Sequence, residues 1–297
     1  MSMLRRNGIL YVMLLPGIFL TLLFHYLPMG GLVIAFQDFK PWLGFTKSPW
    51  VGLDHFRTAF ERPDSVQVIW NTFLIASLKI TANLIVPIIF ALLLNEVRHM
   101  AFKKIVQTLV YLPHFLSWVI LGGILGDMLS STGIINTMIL PYFGIDPIIF
   151  LADGMWFRIV AVVSEVWKEC GFATIVFLAA LSNVDPSLYE AAEVDGANRW
   201  QQTWTVTFPA IIPIIVVVGT LALGNVLNAG FDQIFNLYNP LVYEYADIID
   251  TFVYRIGLQG AQFGLATAIG MFKSIVGFVM IVSAYYLAHR FANYRIF

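Results

Sequence analysis

The stretch Glu190-Ala191-Ala192-Glu193-Val194-Asp195-Gly196-Ala197, running on to Val206-Thr207-Phe208-Pro209, is a polar, helix-prone segment between two long apolar runs. The run before it, Phe157–Leu181, and the run after it, Ala210–Leu227, meet or approach the roughly twenty apolar residues that a helix needs to cross a bilayer. A polar interruption of this length has no packing role between membrane spans. It is expected to be read by something outside the bilayer.

Working outward from that segment, hydrophobic residues make up 59% of the 297 and charged residues 12%, where a soluble domain carries about a quarter charged. The deficit, with its long charge-poor runs, places the chain in a membrane. Ile9–Phe36, Val68–Leu94, Ile105–Leu129 and Leu265–Ala288 are four more candidate spans. The expected fold is therefore an all-α integral membrane protein of six transmembrane helices, forming one domain over residues 1–297. Arg5 and Arg6 ahead of the first run imitate a signal peptide, but the run is too long for one and no A-x-A cleavage site follows. It reads as an uncleaved first span.

Six spans put both termini on one side, and the charge distribution chooses which side. Arg5, Arg6, Arg98, Lys103, Lys104, Arg199, Arg290 and Arg295 fall inside; Lys40, Lys47, Arg57, Arg62 and Arg255 fall outside, with Arg158 at a boundary. The expected topology is N-in and C-in, which puts residues 183–209 in the cytoplasm. Residues 37–67, with Trp42, Trp50, Pro41 and Pro49, suit a folded interfacial loop. Gly122 and Gly126 share a face of the third run at a spacing that permits close helix contact.

Several functions are excluded or disfavoured. A net charge of -1 leaves no electrostatic footprint for nucleic acid. The single cysteine, Cys170, excludes an intrachain disulfide, and the five scattered histidines show no metal-ligand spacing. No catalytic nucleophile and base assemble from the sequence. The nearest approach to a nucleotide-binding loop, Gly264 followed by Gly270-Met271-Phe272-Lys273-Ser274, lacks the adjacent Gly-Lys and sits in a span.

Residues 183–209 parse as two short helices. Asp185 before Pro186 is a good N-cap with proline at the first helical position, and Gly196 supplies the backbone freedom to stop and turn. A second helix from Asn198 to about Thr205 sets Trp200 and Trp204 four apart on one face. A helix lying on lipid would be rich in Lys and Arg. Asp185, Glu190, Glu193 and Asp195 face only Arg199, so a protein partner is the better fit.

The pattern Glu190-Ala191-Ala192, Gly196, Val206, Phe208, Pro209 resembles the EAA loop of permease subunits in bacterial binding-protein-dependent ABC importers. Val206 and Phe208 stand where that loop usually has Ile and Leu, and Thr203 where it often has an aromatic. Ser48-Pro49-Trp50-Val51-Gly52-Leu53 and Leu112-Pro113-His114-Phe115-Leu116-Ser117 look like the sugar-importer permeases. The run from Gly230 to Glu244 resembles the branch that handles oligo- and polysaccharides, alginate importers included. The resemblance implies a carbohydrate permease in the bacterial inner membrane. Its implied partners are a second homologous permease, two ATP-binding cassette subunits and an extracytoplasmic solute-binding protein. The chain itself binds no cofactor, ATP and Mg2+ belonging to the ATPases. Glu190, Ala191, Ala192, Glu193, Asp195, Gly196 and Arg199 would form the coupling helix and its flank, seated in a cleft of the ATPase.

Two polar groups within the spans are candidates for a sugar pathway. Glu165, Lys168 and Glu169 lie at i, i+3 and i+4 on the fourth span. Each central charge facing lipid costs roughly 2.5–3.5 kcal/mol, so all three must face protein or water. Either Glu165 pairs with Lys168, with Lys79 reaching Glu165 or Glu169, or the face lines the pathway. Asn225, Asn228 and Asp232 share a face near the outer end of the fifth span, with Phe231, Phe235 and Tyr238 available to stack on pyranose rings. The other reading of these residues is interhelical packing. His25, His114 and Asp127 read as packing or boundary residues. Two other functional classes stay open: an ion-coupled secondary transporter, which would show inverted repeats, and an intramembrane enzyme built on the charged face. Lys79, Lys168 and Lys273 are the only lysines within the spans, so neutral oligosaccharides compete with acidic ones as substrate.

Overall fold

The computed structural model describes residues 8–292. Arg5, Arg6 and Arg295, and the side chain of Arg290, all counted toward the inner charge, lie outside the description. The helices that carry the argument are α1 (Ile9–Phe36), α2 (Pro63–Glu96), α3 (Met100–Phe115), α4 (Trp118–Leu129), α5 (Gly154–Leu181), α6 (Pro186–Val194), α7 (Arg199–Gly224), α8 (Phe231–Leu237) and α9 (Phe263–Ala292). Among the described residues the structure is helical, with one isolated antiparallel bridge between Gln37 and Trp50.

By length and apolarity α1, α2, α7 and Phe263–Tyr286 of α9 can cross a membrane. The expected third span, 105–129, is not one rod: α3 and α4 meet at 103°. Pro113 supplies no N–H and its ring opposes the carbonyl one turn back, which ends regular helix. Ser117 then restarts it by accepting from the Ile120 amide. Taken as one broken span, the pair would be a fifth. α5 covers the expected fourth span and is capped by Asp153, which accepts from the Met155 and Trp156 amides at 3.0 and 2.9 Å. At 1.5 Å per residue its 28 residues extend about 42 Å. It has the length to span; the charges it carries keep it from being apolar enough to count on composition.

The chain forms two compact units, residues 1–63 with 252–272 and residues 64–251 with 273–297. In the first, Gln37 is buried and donates to the Phe45 carbonyl at 3.0 Å, the His55 ring meets the Gln37 carbonyl at 3.0 Å, and Asp38 N–H donates to Pro49 at 2.9 Å. This closes a folded lobe over residues 37–61 that leaves Trp42 and Trp50 exposed, as its prolines and tryptophans predict. The most apolar stretch of α1 has none of its residues buried.

The second unit holds two apolar cores. One joins Ile75 and Ala76 of α2, Phe157 and Ala161 of α5, and Ile234 and Leu237 of α8. The other joins Ile88 and Ala91 of α2, Phe177 and Leu181 of α5, and Ile211 of α7. α8 also lies against α4: a Cβ on Gly122 would stand 3.0 Å from Asn236 Cβ, whereas one on Gly126 would meet nothing within 4 Å. Only the first of the two expected contact glycines is therefore at a close helix contact.

Candidate coupling segment and polar cavity

Residues 183–209 begin as their sequence predicts. Asp185 accepts from the Ser187 amide at 2.9 Å and starts α6 ahead of Pro186. That amide holds the exposed Asp185 carboxyl below the usual carboxylate range. α6 ends at Gly196 with φ +83°, and the Gly196 and Ala197 amides return to the Glu193 and Ala192 carbonyls at 3.0 and 2.9 Å. These two bonds are the Schellman closure, which needs a left-handed residue where the glycine stands.

The second short helix differs from expectation. Asn198 and Gln201 form a capping box, but the helix that follows runs unbroken to Gly224 as α7. Pro209 does not end it because a π-helical turn, Thr203–Thr207, precedes it. The wider turn accommodates a residue without an N–H, as π-bulges do at such points. The segment is therefore one short helix folded against the first turns of a long one, not two short helices. Tyr189 and Thr207 hydroxyls meet at 3.0 Å, and Arg199 pairs with Glu96 of α2 at 2.8 Å. Glu190, Ala191, Glu193, Asp195 and Arg199 are exposed, and Ala192 is half-buried. Trp200 and Trp204 are in edge contact, centroids 5.7 Å apart.

The charges of α5 go to separate partners. Glu165 does not pair with Lys168. Lys79 of α2 lies 3.5 Å from Glu165 and donates to the Ala229 carbonyl and to Gln233 Oε1. Gln233 in turn donates to the Ala161 carbonyl and Ser164 Oγ, each at 2.8 Å. Gly230, at φ +90°, is required here twice over: its backbone is left-handed, and a Cβ would stand 3.0 Å from Lys79 Nζ. One turn further along α5, Lys168 pairs with Glu169 at 3.1 Å and donates to the His114 carbonyl at 2.8 Å. His114 Nδ1 meets Glu169 at 2.8 Å, and its ring stacks on Phe172. His114 is thus part of a polar clamp that fastens the end of α3 to α5, and the packing role expected for it understated that.

The expected face of Asn225, Asn228 and Asp232 does not form, because α7 ends at Gly224 and the chain turns before α8. Asn228 donates to Asn225 at 3.2 Å and accepts from Lys273 at 2.8 Å, while Lys273 is held by both oxygens of Asp250 at 2.6 and 2.8 Å. Asp232 points away, exposed in the first turn of α8. Phe231 stacks on Phe235, and Tyr238 packs against the first core and Tyr243.

What the fold does assemble is a cavity of about 280 Å3 between α2, α5 and α7, with Lys79, Asn83, Glu165, Asn225 and Asn228 on its polar wall. Buried Asn83 Oδ1 has no hydrogen-bond partner among the described residues, and Glu165 Oε2 makes only the 3.5 Å ion pair with Lys79. Of the expected pathway residues, Glu165, Asn225 and Asn228 reach this cavity; Lys168, Glu169, Asp232, Phe231 and Tyr238 are not on its wall. Asn83 went unremarked in the sequence. A lone amide in an apolar run is the signal that marks it.

Residues 83–293 match the family described as the inner membrane component of binding-protein-dependent transport systems. Among curated proteins, protein LplB of Bacillus subtilis is 44% identical over 100% of this chain and 93% of its own length. The polygalacturonan/rhamnogalacturonan transport system permease protein YteP of the same organism is 46% identical over 97% and 90%. Among solved structures, a bacterial ABC transporter that imports the acidic polysaccharide alginate has a chain 43% identical, with a TM-score of 0.90 over 98% of both chains. The alginate transporter in complex with a pentasaccharide-bound periplasmic protein gives 42% and 0.89 over 97% and 96%.

Proposed function

Because this chain belongs to the family of binding-protein-dependent transport system inner membrane components, and is a multi-pass inner-membrane permease of a carbohydrate ABC importer, we propose that it carries an oligo- or polysaccharide by alternating access driven through residues 185–209. The reading takes α5 and the bent pair α3–α4 as spans beside α1, α2, α7 and α9, making six, with both termini and the 183–209 segment in the cytoplasm. The whole chain acts as one permease domain.

The observation that carries the coupling role is the build of α6. It is capped at Asp185, closed at Gly196 and tied to α7 through Tyr189 and Thr207, and the first residue of α7, Arg199, is in turn paired with Glu96 of α2. Such a strut passes a push on α6 to α7, and through the start of α7 to α2. Its outward residues, Glu190, Ala191, Glu193 and Asp195, are the ones free to meet an ATPase subunit. ATP and Mg2+ are assigned to two such partner subunits, and the core is completed by a second permease that receives sugar from an extracytoplasmic binding protein. The periplasmic protein in one neighbouring structure supports that last assignment.

The sugar is assigned to the polar cavity. Asn83 Oδ1 is an acceptor without a donor among the described residues and Glu165 Oε2 has only the Lys79 ammonium at 3.5 Å, and hydroxyls are what a saccharide offers. Glu165, Asn225 and Asn228 are the contacts; Lys168 and Glu169 hold the helix break in place. The polygalacturonan relative and the alginate neighbours favour a uronic-acid polymer over a neutral one.

The test is uptake and ATP hydrolysis by the assembled importer with Glu190→Lys or Gly196→Pro. Proline fixes φ near −65° where the structure has +83°. Both variants are expected to insert normally, lose uptake and lose substrate-stimulated hydrolysis. Full uptake at equal membrane levels would refute the coupling role, and uptake that persists without ATP hydrolysis would favour a secondary transporter.

A further inference from the structure

A second cavity, of about 610 Å3, opens beside the coupling segment between α2 and the first turns of α7. Its walls are almost wholly apolar, built from leucines and isoleucines of α2 between Leu84 and Leu93 with Trp204 and Phe208 of α7. It ends at Leu84, which also lines the polar cavity and so separates the two. At the opposite end stand Glu96 and Trp200, beside Arg199.

We infer that this groove is a binding site for a membrane phospholipid, with one acyl chain along α2 and the phosphate at Arg199. Three observations select that occupant. The first is depth: from Leu84 to Glu96 α2 rises about 18 Å, against about 15 Å for one leaflet of a hydrocarbon core about 30 Å thick. The groove is one leaflet deep, and both of its walls are membrane spans.

The second is chemistry. A sugar bound here would leave its hydroxyls unpaired, since Thr203 and Glu96 are the only lining residues with a hydroxyl or charged group and Glu96 is committed to Arg199. A hydrocarbon chain has no polar group to leave unpaired in such a place and makes dispersion contacts along its apolar walls. The third is the mouth. Trp200 and Trp204 are exposed there, and tryptophan settles at the headgroup level. Arg199 gives one terminal nitrogen to Glu96 and is otherwise exposed, and its planar fork suits a phosphate. Lipid in this groove would press on Trp204 and Phe208, which flank the Thr207 that closes on α6, so the coupling segment would feel the membrane.

The experiment reconstitutes the assembled importer in vesicles of equal parts phosphatidylethanolamine and phosphatidylglycerol, with a trace of phosphatidylglycerol carrying a photoactivatable diazirine on its acyl chain. Adducts are mapped by mass spectrometry. The first span is the internal reference, the side chains of residues 9–29 being exposed in this chain taken alone. Per residue, adducts on 85–93 and 200–208 are expected to exceed those on 9–29 several-fold. Ile89→Trp, on the half-exposed wall, should cut the groove adducts about tenfold and leave the reference unchanged; Leu93→Trp, nearer the mouth, should do the same. Arg199→Glu should lower groove labelling several-fold. Groove adducts at or below the level of the first span, or indifferent to both tryptophans, would overturn the proposal. So would a cysteine at position 89 that crosslinks to the second permease, because the occupant would then be protein. Labelling indifferent to Arg199→Glu would overturn the phosphate contact. None of these readouts uses transport, so the outcome is independent of the coupling role.

Discussion

Lys79→Met keeps the unbranched four-atom stem of the side chain and removes the ammonium with its charge, and the structure sets what that should cost. The ammonium is bonded to the Ala229 carbonyl and Gln233 and lies 3.5 Å from Glu165, with 6% of the Lys79 side chain and 20% of the Glu165 side chain exposed. Removing one member of a buried pair costs roughly 3–5 kcal/mol, chiefly by stranding the other charge. Glu165 borders a cavity that admits water, so the lower figure, about 3 kcal/mol, applies. The double variant Lys79→Met/Glu165→Gln strands no charge and forfeits only bonds between helices, each worth about 0.6 kcal/mol in a membrane. Its cost should be about 1 kcal/mol on that scale. Cys170 is the only cysteine, lies on the same helix as Glu165, and is buried, so its rate of thiol labelling in the reconstituted importer reports opening of this region. At about 1.4 kcal/mol per tenfold, the single variant should label roughly a hundredfold faster than the parent and the double roughly fivefold. A double variant that labels as fast as Lys79→Met would refute the reasoning, because the stranded carboxylate would not be the source of the cost.

Two further perturbations follow from local geometry. Gly122→Val should destabilise by about 1–3 kcal/mol, the usual cost of overpacking, because its Cβ would stand 3.0 Å from Asn236; Gly126→Val, with open space around it, should leave the thermal midpoint of the purified importer unchanged. The Asp185 carboxyl is depressed by the Ser187 amide, so the cap stabilises α6 fully above the unfolded pKa and its contribution is lost as pH falls through the lower folded value. Amide protection factors within α6, exchange rates taken relative to the intrinsic rate at each pH, should be flat from neutral pH down to about pH 4 and fall below it, and Asp185→Asn, which caps without ionising, should flatten the profile.

What was legible in the sequence is what short-range chemistry decides. Asp185-Pro186 and Gly196 mark the two ends of α6 because a cap and a left-handed stop act within a few residues. The break between α3 and α4 was missed because an apolarity count over 105–129 registers composition alone, while Pro113 and Ser117 act on backbone bonds. The same neglect carried α7 through Asn225 to Asp232, although an Asn-Ala-Gly turn at 228–230 was there to be read. The i, i+3, i+4 spacing put Glu165, Lys168 and Glu169 on one face correctly. It could not say which neighbour would meet each, because Lys79 arrives from α2 and His114 from the end of α3, and both depend on how the helices pack.

That packing settles a question the charges alone left open. Lys79, Lys168 and Lys273 sit within α2, α5 and α9, and each lies against a carboxylate: Glu165, Glu169 and Asp250. The clusters are therefore neutral in sum, and each lysine is already held by its carboxylate. A substrate carboxylate arriving at the polar cavity would meet the unpartnered Asn83 oxygen and a Glu165 carboxylate whose only cation is the Lys79 ammonium at 3.5 Å, and both oxygens repel it and attract hydroxyls. A uronate could present its hydroxyl edge to this chain, but its carboxylate would have to be met elsewhere. On the proposed reading, with two permeases and a uronic-acid polymer, recognition of acidity would fall to the second permease or the binding protein, and recognition of the hydroxylated ring to this one.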